Sequence, residues 1–142
     1  MLFGTDGVRG VVDIDVTSEL AYNIGKGVAL GVLRNKKNKK VIVGCDTRTS
    51  SDTLMSAICC GFSDYGINVD IVGIASTPSI SYLVSKLDYS AGVMITASHN
   101  DNTYNGIKLF NEIGEKYDVK LENKVEKYIQ LCNKKVKKQG AY

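Results

Sequence analysis

Residues 40–74, KVIVGCDTRTSSDTLMSAICCGFSDYGINVDIVGI, decide the fold. They open on KVIVG, a short apolar run rich in β-branched residues that reads as a buried strand over 40–44. The turn DTRTSSD follows. Leu54, Ile58, Phe62 and Tyr65 then recur at helical spacing over 51–65, and Gly66 stands where a helix would end. Residues 67–74 are strand-like again. Strand, helix and strand in this order predict two parallel strands joined by a covering helix.

The alternation continues on both sides. Upstream, SELAYNIGKGVALGVLR (18–34) sets Leu20, Ile24, Val28 and Val32 four residues apart, with Ala21, Gly25 and Leu33 beside that stripe. This predicts an amphipathic helix capped by Thr17 or Ser18, and Gly25, Gly27 and Gly31 predict that it packs closely on its neighbours. Downstream, Thr77-Pro78 opens a helix with Pro78 at its first position and Ile80, Leu83, Val84 and Leu87 facing inward. AGVMI (91–95) reads as a strand, and GIKLFN (106–111) as another, paired through the turn NEIGEKY. A last helix is expected over 120–138, with Leu121, Val125, Tyr128, Ile129 and Cys132 as its apolar stripe. The fold class is α/β, a three-layer α/β/α arrangement with a mixed, mainly parallel sheet.

At 142 residues the chain fits a single domain spanning 1–142. An apolar share of 44% with 23% charged residues is that of a globular chain with a core, which excludes disorder and collagen-like architectures. No stretch approaches the roughly 20 apolar residues of a membrane span, and the N-terminus lacks a signal-peptide pattern, so a cytoplasmic protein is expected. Residues 116–142 hold eight lysines against three acids, a charge of +5, which leaves −2 for the rest of a chain whose net charge is +3. The basic excess therefore belongs to one helix face and the tail. Neither it nor RNKKNKK (34–40) carries interleaved aromatics or a nucleic-acid reading motif, so no nucleic acid and no membrane are expected as partners. Cys45, Cys59, Cys60 and Cys132 form no CxxC and lack a histidine at ligand spacing; they read as small buried hydrophobes.

In such sheets ligands gather beyond the carboxyl ends of the strands, and three loops there are polar. FGTDGVRG (3–10) has glycines that let backbone amides approach a ligand and an arginine, Arg9, suited to a phosphate or carboxylate; a purely structural turn gives the same letters. In GCDTRTSSD (44–52), Asp46 and Arg48 read as an ion pair fixing the turn, with Ser50 or Ser51 capping the next helix. TASHNDNTYNGIK (96–108) contains His99, the one histidine of the chain, beside Ser98 and Asn100. Ser98 on such a loop suits a phosphoryl carrier, with amides, Asn100, Lys108 and Arg9 meeting the negative charge. A serine hydrolase is disfavoured, because adjacent residues seldom align as nucleophile and base and there is no G-x-S-x-G elbow. A Walker A loop is absent.

FGTDGVRG, GCDTRTSS and TASHNDNTYNGIK together, in this order and spacing, closely resemble the first domain of the α-D-phosphohexomutases, from Phe3 to about Cys132. The N-terminal string is most similar to the phosphoglucosamine mutase branch, with phosphomannomutase/phosphoglucomutase members next. The resemblance implies that Ser98 is a phosphoserine that passes its phosphoryl group to a hexose monophosphate and regains one from the bisphosphate, moving phosphate between C6 and C1. It implies catalytic roles for Ser98, Lys108, Arg9 and His99, and phosphate binding by Asn100, Thr96 and Arg48. It further implies a Mg²⁺ held by the phosphoryl group of Ser98 and by aspartates of a second domain, with a hexose bisphosphate as intermediate and activator. The expected partners are a hexose phosphate and the remaining domains of a longer enzyme, and the chain alone is expected to be inactive. The family's proline after SHN is replaced by Asp101. A non-catalytic module binding sugar phosphate or protein is the alternative.

Overall fold

The computed structural model describes residues 2–5 and 7–139, and of 130–139 the backbone alone. The elements run β1 (Val8–Val11), α1 (Ser18–Gly31), β2 (Lys40–Cys45), α2 (Ser51–Ser63), β3 (Asn68–Ile74), α3 (Thr77–Lys86), β4 (Ala91–Ile95), β5 (Tyr104–Phe110) and α4 (Val119–Gln139). They form a five-stranded sheet in the order β1-β5-β4-β2-β3. β3, β2 and β4 are parallel, whereas β5 is antiparallel to both β4 and β1. β5 alone therefore opposes the common strand direction, which is the mixed α/β sheet expected.

Strand periodicity divides the sheet into two unequal faces. Val41, Val43 and Cys45 of β2, Ala91, Val93 and Ile95 of β4, and Ile107 and Leu109 of β5 enter the larger core with Ile24 and Val28 of α1, Ile58 and Phe62 of α2 and Val125 of α4. The opposite face is served by α3 alone: Ile80 and Val84 pack with Ile42, Met94, Tyr89 and Phe110. α1 and α2 approach backbone to backbone, since a Cβ on Gly25 would lie 2.5 Å from the Ile58 carbonyl oxygen and one on Gly61 2.2 Å from that of Tyr22. Here the close packing expected of the helix glycines is met.

Helix starts follow local chemistry. Thr17 Oγ1 accepts from Leu20 N at 3.0 Å, and Ser76 Oγ accepts from Ser79 N at 3.2 Å, so Ser76 caps α3 and Pro78 falls within its first turn. Gly66 sits at φ +80° just beyond α2.

Several expectations are corrected. Residues 8–11, read as loop, form the edge strand β1, because β5 supplies the pairing partner that a four-residue segment cannot reveal alone. Ser50 makes no side-chain cap to α2; its hydroxyl instead accepts from Asn105 at 2.8 Å. Leu87 lies past the last turn of α3 and is exposed, and Cys60, on the outer side of α2, is exposed rather than buried. The turn at 111–117 pairs back only through Phe110 and Lys116, since β5 finds its ladders in β4 and β1. The expectations for Cys132, the tail lysines and the final residues lie outside the described side chains.

Candidate active site

Three connections bear on the site: the turn before β1, which lies toward the C-terminal end of β5, and the loops after β2 and from β4 to β5, which meet at the opposite rim, where Val12 N at the end of β1 donates to Thr103 O at 2.9 Å. The first is closed by Gly4 N donating to Gly7 O at 2.8 Å. A Cβ on Gly7 would lie 2.3 Å from the Ile107 carbonyl oxygen, and one on Gly106 would lie 2.5 Å from that of Val8 and 2.8 Å from that of Thr96. Only glycine allows β1 to lie this close to β5, and that closeness brings Arg9 to the β4–β5 loop.

Ser98 occupies that loop in a turn closed by Asn100 N donating to Ala97 O at 3.1 Å. Its φ of +53° is in the left-handed region, unusual for a residue with a side chain, while Ala97 before it is fully buried. The turn raises Ser98 to solvent. Lys108 Nζ, from β5, donates to Ser98 Oγ at 3.4 Å, and Arg9 Nη1, from β1, donates to Asn100 Oδ1 at 3.3 Å. Ser98, Asn100, Arg9 and Lys108 are thus brought together. His99 is exposed on the same loop and makes no hydrogen bond there.

The structure places Arg48 and Thr96 under this loop instead of over it. The Arg48 side chain is 7% exposed, and its Nε donates to Asp46 Oδ2 at 2.9 Å. Its other nitrogens donate to the carbonyl oxygens of Ser98 at 2.9 Å, Asp101 at 2.5 Å and Tyr104 at 3.4 Å. Thr96 is buried; its hydroxyl donates to Asp46 Oδ2 at 2.7 Å and accepts from Ser98 N at 3.0 Å. Both are occupied by protein groups, and the ion pair read from DTR is present.

Burial pushes the Asp46 carboxyl up. The hydrogen bonds from Thr96 and from the backbone and side chain of Arg48, with the guanidinium charge, outweigh it and hold the group below its ordinary value. Asp101, in the family's proline position, is also held low, first by the Thr103 hydroxyl and then by Thr103 N, which donates to its Oδ1 at 2.9 Å.

Two residues escaped the sequence reading. Asp46 reads from the sequence only as a partner of Arg48, although an acid directly after a buried strand is itself a signal. Asn105, fully buried, donates to Ser50 Oγ at 2.8 Å and Ser51 Oγ at 3.2 Å and so ties the second loop to the third. Its burial has no signature in NTYNG, which reads as a turn. As for a metal ion, the carboxylates near Ser98, Asp46 and Asp101, are spent on protein donors. Among the described residues no group of three acidic, histidine or cysteine side chains fits one.

Over residues 1–135 the chain matches the family described as phosphoglucomutase/phosphomannomutase, alpha/beta/alpha domain I. It is 52% identical over 128 residues to the phosphoglucosamine mutase of Dictyoglomus turgidum, which covers 89% of this chain and 28% of that protein. It is 44% identical over 132 residues to the phosphoglucosamine mutase of Clostridioides difficile, covering 93% of this chain and 30% of that protein. Its fold is similar to the crystal structure of a phosphoglucomutase/phosphomannomutase family protein from Burkholderia thailandensis. That match has a TM-score of 0.80 and 26% identity, over 93% of this chain and 30% of that one. The chain thus spans less than a third of the length of these relatives.

Proposed function

This chain belongs to the phosphoglucomutase/phosphomannomutase family as its α/β/α domain I, and on that premise we propose that it is the single-domain nucleophile unit of a phosphoglucosamine mutase. Ser98 carries the phosphoryl group. The observation that supports this is the exposed Ser98 hydroxyl 3.4 Å from the Lys108 ammonium, with Arg9 reaching the same loop through Asn100.

Phosphoryl transfer asks a protein mainly to position oxygens and offset charge. When the bond between phosphorus and Ser98 Oγ breaks, negative charge develops on Oγ, and Lys108 is placed to stabilise it. Arg9 and Asn100 flank the position of the equatorial phosphate oxygens. His99, exposed beside them, is available to an incoming sugar phosphate. The group passes to a free hydroxyl of glucosamine phosphate, and the other phosphate of the resulting bisphosphate returns to Ser98. Magnesium, if bound, would offset charge on the transferring group, and in this chain the phosphoryl oxygens on Ser98 would hold it. The remaining ligands and the sugar-selecting groups belong to further domains of the enzyme. Among the described residues no helix is long and apolar enough to cross a membrane.

The test uses a full-length enzyme carrying this domain. Peptide mass analysis should find one phosphate, on Ser98, and Ser98→Ala should abolish conversion of glucosamine 6-phosphate; turnover at the parent rate by that variant refutes the assignment. Offering mannose and glucose phosphates in parallel tests the sugar, and equal rates on all three overturn the glucosamine preference.

A further inference from the structure

The Ser98 peptide groups are held from both sides by one carboxylate. Its N–H donates to Thr96 Oγ1, and that hydroxyl donates to Asp46 Oδ2. Its C=O accepts from Arg48 Nη2, and Arg48 Nε donates to the same Asp46 Oδ2. The four residues close a ring of hydrogen bonds that begins and ends on Ser98. We infer that Arg48 and Asp46 are positioning residues whose task is to hold Ser98 in its left-handed conformation, aiming Oγ outward at Lys108; the inference rests on the reading of Ser98 as the phosphoryl carrier.

Three features make this more than an ion pair in a turn. The conformation it holds is one that a residue with a side chain avoids. Arg48 also donates to the carbonyls of Asp101 and Tyr104, so a single guanidinium spans the loop from its tip to the first residue of β5. A planar fork with five donors can do this; an ammonium on a flexible stem cannot. Finally, the Arg48 side chain is 7% exposed and its charge is paired with Asp46, so it contributes little field at the rim. Arg9 and Lys108 are left as the cations that face a phosphate, and Arg48 acts only through the geometry of Ser98.

The test is NMR of the 142-residue chain, together with kinetics of a full-length enzyme that carries it. In the unaltered chain, the amide-to-α-proton coupling and the Cα and Cβ shifts of Ser98 should report a left-handed residue. In Arg48→Lys that signature should be lost and Ser98 amide exchange should rise at least about tenfold, while signals outside the loops after β2 and β4 stay in place. In the enzyme, the same change should lower kcat about 100-fold, the order expected for an ångström of misplacement, with KM little changed. A left-handed signature retained in Arg48→Lys overturns the inference; so does a raised KM with unchanged kcat, which would mean direct phosphate binding. Should Arg48→Lys fail to fold, Thr96→Val decides, since it cuts only the N–H side of the ring: loss of the signature supports the inference and its retention defeats it. If the signature behaves as expected but Ser98→Ala still turns over, the phosphoserine reading has failed while the clamp stands.

Discussion

Replacing Ser98 by glycine and by alanine removes the same hydroxyl but should leave the glycine variant more stable than the alanine variant. Both variants lose the contact to Lys108, which is solvent-exposed and common to the two. What separates them is the backbone: at φ +53° a Cβ costs about 1–2 kcal/mol that glycine does not incur. Against this, glycine has more freedom in the unfolded chain, which lowers its advantage by about 0.4–1 kcal/mol. The balance favours Ser98→Gly over Ser98→Ala by about 0.5–1 kcal/mol. With an unfolding entropy of about 2.1 cal/mol/K per residue, a chain of 142 residues converts that into about 2–3 °C in Tm. Paired urea and thermal unfolding of the two variants measures it. Neither should accept phosphate. If alanine proves as stable as glycine or more so, Ser98 is not held in the left-handed region, and the account of how its hydroxyl is raised to the rim fails with it.

Gly106→Ala should destabilise the domain by about 1–3 kcal/mol in urea unfolding, because its Cβ meets two backbone oxygens that cannot yield. Tyr117→Phe should stabilise by about 1 kcal/mol, since the Tyr117 hydroxyl is buried with no hydrogen-bond partner among the described residues; destabilisation in the same assay would show that the hydroxyl is satisfied in solution. Lys108→Met should leave stability within about 0.5 kcal/mol while phosphate transfer through Ser98 is lost in the full-length enzyme, a combination that a structural lysine would not produce. At alkaline pH, Tyr22 and Tyr89 have their phenols pushed up to about 12, first by donating to Asp64 and Asp70, then by burial and by the carboxylate charge. A raised folded pKa contributes stability that is complete below the ordinary value of 10.0 and lost as pH rises through about 12. Tyr89→Phe should flatten the decline in unfolding free energy across that window, and an unaltered decline would contradict the assignment.

The central βαβ unit was legible because burial on both faces leaves an unbroken apolar run in β2 and a clean helical stripe in α2. β1 was not, since an edge strand of four residues owes its form to β5, far away in sequence. The same limit governs the site. That Ser98, Arg9 and Lys108 belong together was readable from motif resemblance, but the left-handed turn at Ser98 carries no local signal, as serine is an unfavoured residue there. Arg48 reads from DTR as the partner of Asp46, and the motif resemblance alone adds phosphate binding. Only the fold shows that three carbonyls and a carboxylate occupy it. A buried donor set is a property of converging segments, and one segment read alone cannot display it.

The unequal cover of the two sheet faces explains why the site lies where it does. Arg9 stands opposite Gly106 across the β1–β5 ladder, and Lys108 is two residues along β5, so Arg9, Gly106 and Lys108 share one face. Val8 and Ile107, their neighbours, turn the other way into the larger core. The shared face is the one served by α3, which packs mainly on β2 and β4 and meets β5 at Phe110. Cations on the strip left uncovered stay hydrated and need no buried counter-ion, whereas on the three-helix face each would require one. Gly106 places no side chain between them, the position of its Cβ being taken up by the Val8 and Thr96 carbonyl oxygens. A second helix over this face would bury the strip and force Lys108 into a structural pairing. The single-helix cover thus lets a packed domain present Arg9 and Lys108 beside a raised serine.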